Sequence, residues 1–190
     1  MHSSNNHVFA LENEASYYGT NRILQPGFYD TRCRFRGNNI IGTLSGWVPI
    51  VFNGINTVDA AIALSSPDLI GNSTPPDGYG TPKSATAGPS LNADVQKYGR
   101  TTSLTKGMIT GINATIMVGY SSGYATFVNQ IVISSSGPFI KPGDSGSLLV
   151  TDPGLNPVGL LFAGDSSGTM AIANPINDVL NSFGVTIDGN

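Results

Sequence analysis

A chain of 190 residues can bury a core in one domain or in two small lobes. Charged residues make up only 11% of it and the net charge is −3, so there is no basic footprint for nucleic acid, and Ser, Thr, Asn and Gly must cover much of the surface. No stretch approaches the roughly 20 apolar residues that cross a membrane, and two histidines with a single cysteine offer neither a metal-ligand spacing nor an intramolecular disulfide.

Along the chain, polar residues give way to an apolar run at Ser4-Asn5-Asn6-His7-Val8-Phe9-Ala10. His2 lies beside the start and is expected to fray, which leaves His7 as the one imidazole available for chemistry. Cys33 stands between Arg32 and Arg34, which could lower its pKa, but no second histidine is left to serve it as a nucleophile. Short apolar runs at Ile40 to Leu44 and Val48 to Phe52 predict strands, and so does Thr57 to Leu64. That last run holds Asp59. A buried carboxylate needs a partner, and an imidazole N–H would supply one. Asp30, Asp68, Asp77 and Asp94 stand mostly among turn residues and read as solvated.

Ser65 to Ala93 is rich in Pro, Gly and Ser and is long for a loop inside a compact domain. It predicts a crossover (66–93) between a first lobe (1–65) and a second lobe (94–190). Period-2 alternation in Ile112, Ala114, Ile116 and Val118, and in Phe127, Asn129, Ile131 and Ile133, predicts further strands, as do Leu148 to Val150 and Val158 to Phe162. Between them lies Pro142-Gly143-Asp144-Ser145-Gly146-Ser147, a serine on a tight turn flanked by glycines. A second near-match, Gly164-Asp165-Ser166-Ser167, reads as a plain turn. The one helical segment has Asn174 as its N-cap, Pro175 at the first helical position, an apolar stripe of Ile176, Val179, Leu180 and Phe183, and Gly184 at its end. The fold class is all-β with a C-terminal α-helix.

A serine hydroxyl is a poor nucleophile without a base, and the base needs a carboxylate to orient it. His7, Asp59 and Ser145 supply the three types, in the order His, Asp, Ser. Subtilisins and α/β-hydrolases run in other orders. With Asn5-Asn6-His7-Val8, Val58-Asp59-Ala60-Ala61-Ile62-Ala63, Gly99-Arg100-Thr101-Thr102 followed by Gly107, Gly143-Asp144-Ser145-Gly146, Gly159-Leu160-Leu161-Phe162-Ala163-Gly164 and Ala173-Asn174-Pro175-Ile176, the chain resembles the trypsin-like serine peptidases of the chymotrypsin superfamily, in their disulfide-poor bacterial branch.

The resemblance implies a double β-barrel with the active site between the lobes and a polypeptide substrate, without a cofactor. It implies Ser145 as nucleophile, His7 as acid and base, Asp59 as orienting acid, and the N–H groups of Gly143 and Ser145 as oxyanion hole. The pocket base would be Phe139, which ordinary core packing explains equally well, and the far wall Phe162, Ala163 and Gly164. A non-acidic base argues against cleavage after Lys or Arg and suggests apolar or small side chains. Asp144 is expected to hold the turn rather than to take part in chemistry. The family places about three strands before its histidine, where this sequence has room for none. The first barrel is therefore expected to be incomplete, with His7 on a poorly supported loop and exposed edges, unless another chain or segment supplies strands. An inactive peptide-binding relative and a structural module are the alternative functions. The polar, weakly charged surface suits a secreted protein.

Overall fold

The computed structural model describes residues 1–15 and 22–190. The elements run β1 His2–Ser4, α1 Asn6–Phe9, β2 Arg22–Leu24, β3 Ile40–Trp47, β4 Ile55–Asn56, β5 Ala61–Leu64, β6 Asp94–Gly99, β7 Ser103–Tyr120, β8 Gly123–Ser134, β9 Leu148–Thr151, β10 Pro157–Gly164, β11 Met170–Pro175 and α2 Ile176–Phe183. The all-β expectation with a terminal helix holds.

The second lobe is a closed barrel. Its strands run β11-β10-β9-β6-β7-β8, and β11 pairs back onto β8, so the ring has no free edge. Ile109, Ile131, Ile133, Leu149, Leu161 and Phe139 fill it, all fully buried. The alternation read from the sequence is the pleat of β7 and β8. It changes parity where the ladder slips near Gly111 and Asn113, and Asn113 and Asn129 take left-handed backbone (φ 54° and 63°). This long hairpin ends in a two-residue turn at Ser121-Ser122, and its tip reaches the first lobe.

The first lobe is a four-stranded antiparallel sheet, β1-β5-β3-β2, which does not close on itself among the described residues. Several expectations change here. His2 is not frayed: it pairs with Ala63, so one short strand precedes His7 where none was expected. Val48 to Phe52 is not a strand. Ile50 is core, and its N–H and C=O are satisfied by the Asn13 side chain instead of a neighbouring strand. Asp59 lies just before β5 rather than within it, and β4 joins the second sheet, parallel to β8.

Residues 65–93 contain no helix or strand. They are tied down by backbone bonds such as Lys83 N–H to Leu155 O (2.9 Å) and Ala87 N–H to Pro157 O (2.8 Å). In α2, Ile176 and Val179 bury the apolar stripe against β10 and β11. Gly184 closes the helix in left-handed backbone (φ 63°), its N–H on Leu180 O. The predicted start is corrected. Pro175 is the N-cap, and Asn174 remains in β11 because its side chain is engaged elsewhere.

Candidate active site

His7 lies on the one-turn helix α1, which directly follows β1 along the chain. Three asparagines replace the support that the sequence seemed to lack. Asn5 Nδ2 donates to Asp59 O (2.8 Å), and Asn6 Nδ2 donates to Val48 O (2.7 Å) and Asn13 Oδ1 (2.7 Å). Asn5 and Asn6 are fully buried. Buried amides of this kind fix backbone position, because leaving one unpaired costs about 1–3 kcal/mol.

Asp59 is completely buried and heavily bonded. Its Oδ2 accepts from His7 Nδ1 at 2.5 Å and from the Tyr120 hydroxyl at 2.9 Å, and its Oδ1 accepts the His7 N–H at 3.2 Å. Its own N–H donates to Asn174 Oδ1 (3.0 Å), while Asn174 Nδ2 donates to Gln130 Oε1 (2.7 Å) and Gln130 Nε2 to Thr57 O (2.8 Å). Tyr120 comes from the hairpin tip of the second lobe. Burial, then the Asp59 charge, push its phenol above the ordinary range, so it stays a proton donor. The tip is also held by Glu12, whose carboxylate accepts from Ser121 N–H, Ser121 Oγ and Ser122 N–H at 2.8–3.2 Å. Burial raises the Glu12 pKa, but the bonds from Ser122 and Ser121 outweigh it and leave the group below its usual value.

Ser145 follows Gly143, which has φ +100°, and precedes Gly146, with φ +87°; both are conformations that favour glycine. A Cβ on Gly143 would lie 2.5 Å from Thr101 Oγ1, and one on Gly146 would collide with Ser4 of β1. Thus the first strand packs directly on the serine turn. The Gly143 and Ser145 N–H groups have no acceptor among the described residues, whereas the N–H groups of Asp144, Gly146 and Ser147 are all engaged.

Fully buried Asp144 anchors the turn from below. It accepts from Thr101 N–H (2.7 Å), Thr102 N–H (3.1 Å), Thr102 Oγ1 (2.7 Å) and Lys141 N–H (2.9 Å). Lys97, also fully buried, lies 3.7 Å from Asp144 Oδ2 and donates to the intervening Thr102 hydroxyl and to Ser103 O. Burial alone would raise the Asp144 pKa. Bonds from Thr102, Thr101 and Lys141 and the Lys97 charge reverse that, and the carboxyl is held below its ordinary value.

His7 and Ser145 line one cleft of about 550 Å³, together with Glu12, Val118, Tyr120, Ile140, Lys141, Phe162, Ala163 and Gly164. The Ser145 hydroxyl makes no direct hydrogen bond to the imidazole, a contact that is often long in unliganded enzymes. Phe162, Ala163 and Gly164 form a wall, but Phe139 does not reach the cleft. It is fully buried in the barrel core, with Lys97 Nζ 5.8 Å from its ring centre. Phe139→Ala is therefore expected to cost about 3–5 kcal/mol of stability in denaturant unfolding. Unchanged stability would show that the ring does not fill the barrel core. Among the described residues, no group of three or more His, Cys, Asp or Glu could hold a metal ion.

Tyr120, Asn174, Gln130 and Lys97 were not singled out from the sequence for these tasks. For Gln130 the one signal was its place inside the alternating run Phe127 to Ile133.

No protein-family model matches the chain. It is 33% identical over 96 residues to streptogrisin-A of Streptomyces griseus, which covers 49% of this chain and 30% of that protein, so the chain matches less than a third of its relative's length. It superposes on the chymotrypsin of Cellulomonas bogoriensis with a TM-score of 0.61 at 22% identity, covering 84% of this chain and 83% of that one. It superposes equally on protease A of Thermobifida fusca, with a TM-score of 0.61 at 22% identity over 78% and 75% of the two chains. The fold is that of the chymotrypsin-like double β-barrel of these bacterial serine proteases, with the first barrel incomplete among the described residues.

Proposed function

We propose that this chain is a serine endopeptidase that cleaves peptide bonds through an acyl-enzyme on Ser145. The observation that carries the reading is the buried Asp59 carboxylate bonded to His7 Nδ1 at 2.5 Å, with Ser145 in the same cleft. A carboxylate on Nδ1 holds that nitrogen as the N–H donor and leaves Nε2 free to accept a proton. His7 takes the Ser145 proton as Oγ attacks the carbonyl carbon. The resulting oxyanion meets the free N–H groups of Gly143 and Ser145, each worth about 3 kcal/mol in the transition state. His7 then protonates the leaving amine, and a water deacylates the serine by the same proton route. The streptogrisin-A likeness and the protease neighbours support this reading. The wall of Phe162 to Gly164 with Val118 and Ile140 favours apolar substrate side chains.

Tyr120 is a positioning residue in this scheme, since it touches Asp59 and not the reacting atoms. Tyr120→Phe removes one donor to a charged acceptor, and kcat on a chromogenic peptide is expected to fall about tenfold with KM nearly unchanged. A rise in KM with kcat intact would place Tyr120 in substrate binding instead. The reading as a whole is tested with a fluorophosphonate probe. The folded chain should be labelled once, at Ser145, with no labelling of Ser145→Ala. A folded chain that resists the probe would sink the proposal.

A further inference from the structure

A second cleft, of about 410 Å³, lies in the segment that connects β2 to β3 and is lined by Pro26, Asp30, Thr31, Arg32, Arg34, Arg36 and Asn39. It shares no lining residue with the cleft of Ser145. We propose that it is a docking site for an acidic segment of a polypeptide.

The chain has nine Lys and Arg in all, and three of them converge on this one cleft. Lys97, Arg100 and Lys106 have carboxylate partners, but Arg32, Arg34 and Arg36 have none among the described residues. The only acid lining the cleft, Asp30, is already bonded to Arg100 of the second lobe. Three exposed arginines thus line one cleft with no carboxylate partner among the described residues, and carboxylates, which guanidinium forks bind bidentately, would supply one. Arg32 and Cys33 are held in left-handed backbone (φ 52° and 59°), a conformation that β-carbon-bearing residues rarely adopt.

The occupant is a peptide and not a free inorganic anion because exposed aromatics precede Asp30 along the chain, outside the cleft lining, where a peptide longer than the cleft would meet them. Phe28 and Tyr29 are 50% and 87% exposed, and Arg100 stacks over the Tyr29 ring at 5.0 Å. Such faces serve apolar side chains interspersed with acids and serve a phosphate not at all. The overall charge of −3 gives no general attraction for an acidic ligand, so recognition is confined to this patch.

The site is tested without reference to catalysis, on the full chain carrying Ser145→Ala so that no ligand is cut. A fluorescein-labelled peptide of alternating glutamate and leucine is titrated by anisotropy. Saturable binding is expected, weakening as NaCl screens it, and falling at least about tenfold in Arg32→Gln/Arg34→Gln/Arg36→Gln. Single Arg34→Glu should weaken it similarly, should the triple variant unfold in a thermal melt. Equal binding by the variants, equal binding of a lysine–leucine peptide, or inorganic pyrophosphate as tight as the peptide would each overturn the proposal. The last result would mark a site for small oxyanions.

Discussion

Ser145→Ala is expected to lower kcat for a chromogenic peptide by about a million-fold, and His7→Ala by a similar factor, with the double variant no worse than either. In the proposed mechanism the hydroxyl and the imidazole act as one unit: without Nε2 to take its proton, Oγ cannot attack, and without Oγ the base has nothing to deprotonate. Asp59→Asn should cost about 10⁴-fold. An amide whose NH2 takes the place of Oδ2 donates to Nδ1, favouring the tautomer that blocks Nε2 from serving as base; it loses the bond from Tyr120, while its oxygen still accepts the His7 N–H. Multiplicative losses in the Ser145 and His7 pair, instead of one shared loss, would show that the two do not work together.

The second large effect concerns stability. Lys97 and Asp144 are both fully buried, with the Thr102 hydroxyl between them. Removing one charge strands the other, so Asp144→Leu or Lys97→Met is expected to cost about 3–5 kcal/mol in denaturant unfolding. Lys97→Met with Asp144→Leu should cost much less than the two single losses together, although the turn bonds to Asp144 would still be gone. A strictly additive double variant would refute the pairing. The pH dependence has a definite sign. The Asp144 carboxyl is depressed in the folded state, so its stabilisation is complete above the unfolded value of about 3.9 and is lost as pH falls through the lower folded one. Acid unfolding of the chain should therefore begin below about pH 4 and shift in Asp144→Asn.

What could be read in advance were features written in contiguous residues. The Gly143 to Gly146 turn needs two positive-φ glycines around a serine, and the strands β7 and β8 show their alternation directly. The helix stripe and its Gly184 stop were equally local. The misreadings came where a side chain serves a distant partner. Asn174 has the composition of an N-cap, yet its amide is consumed by Asp59 and Gln130, 115 and 44 positions away. Val48 to Phe52 has the apolarity of a strand, but the Asn13 side chain supplies the bonds a neighbouring strand would give. The resemblance implies Phe139 by its distance along the chain from Ser145. Counting fixes position along the chain, not the direction of the ring, and the barrel interior claimed it.

The β7–β8 hairpin gives the molecule a way of sensing its own assembly. Its tip belongs to the closed barrel but supplies Tyr120 to the acid of the open sheet and receives Glu12 from the segment just beyond His7. Sliding the two halves apart by a fraction of an ångström would leave both cores intact yet break the alignment on which proton transfer depends. Under the proposed mechanism, turnover should then fade under mild denaturant while the secondary structure still looks native, because the proposed chemistry lies at the seam and not in either half.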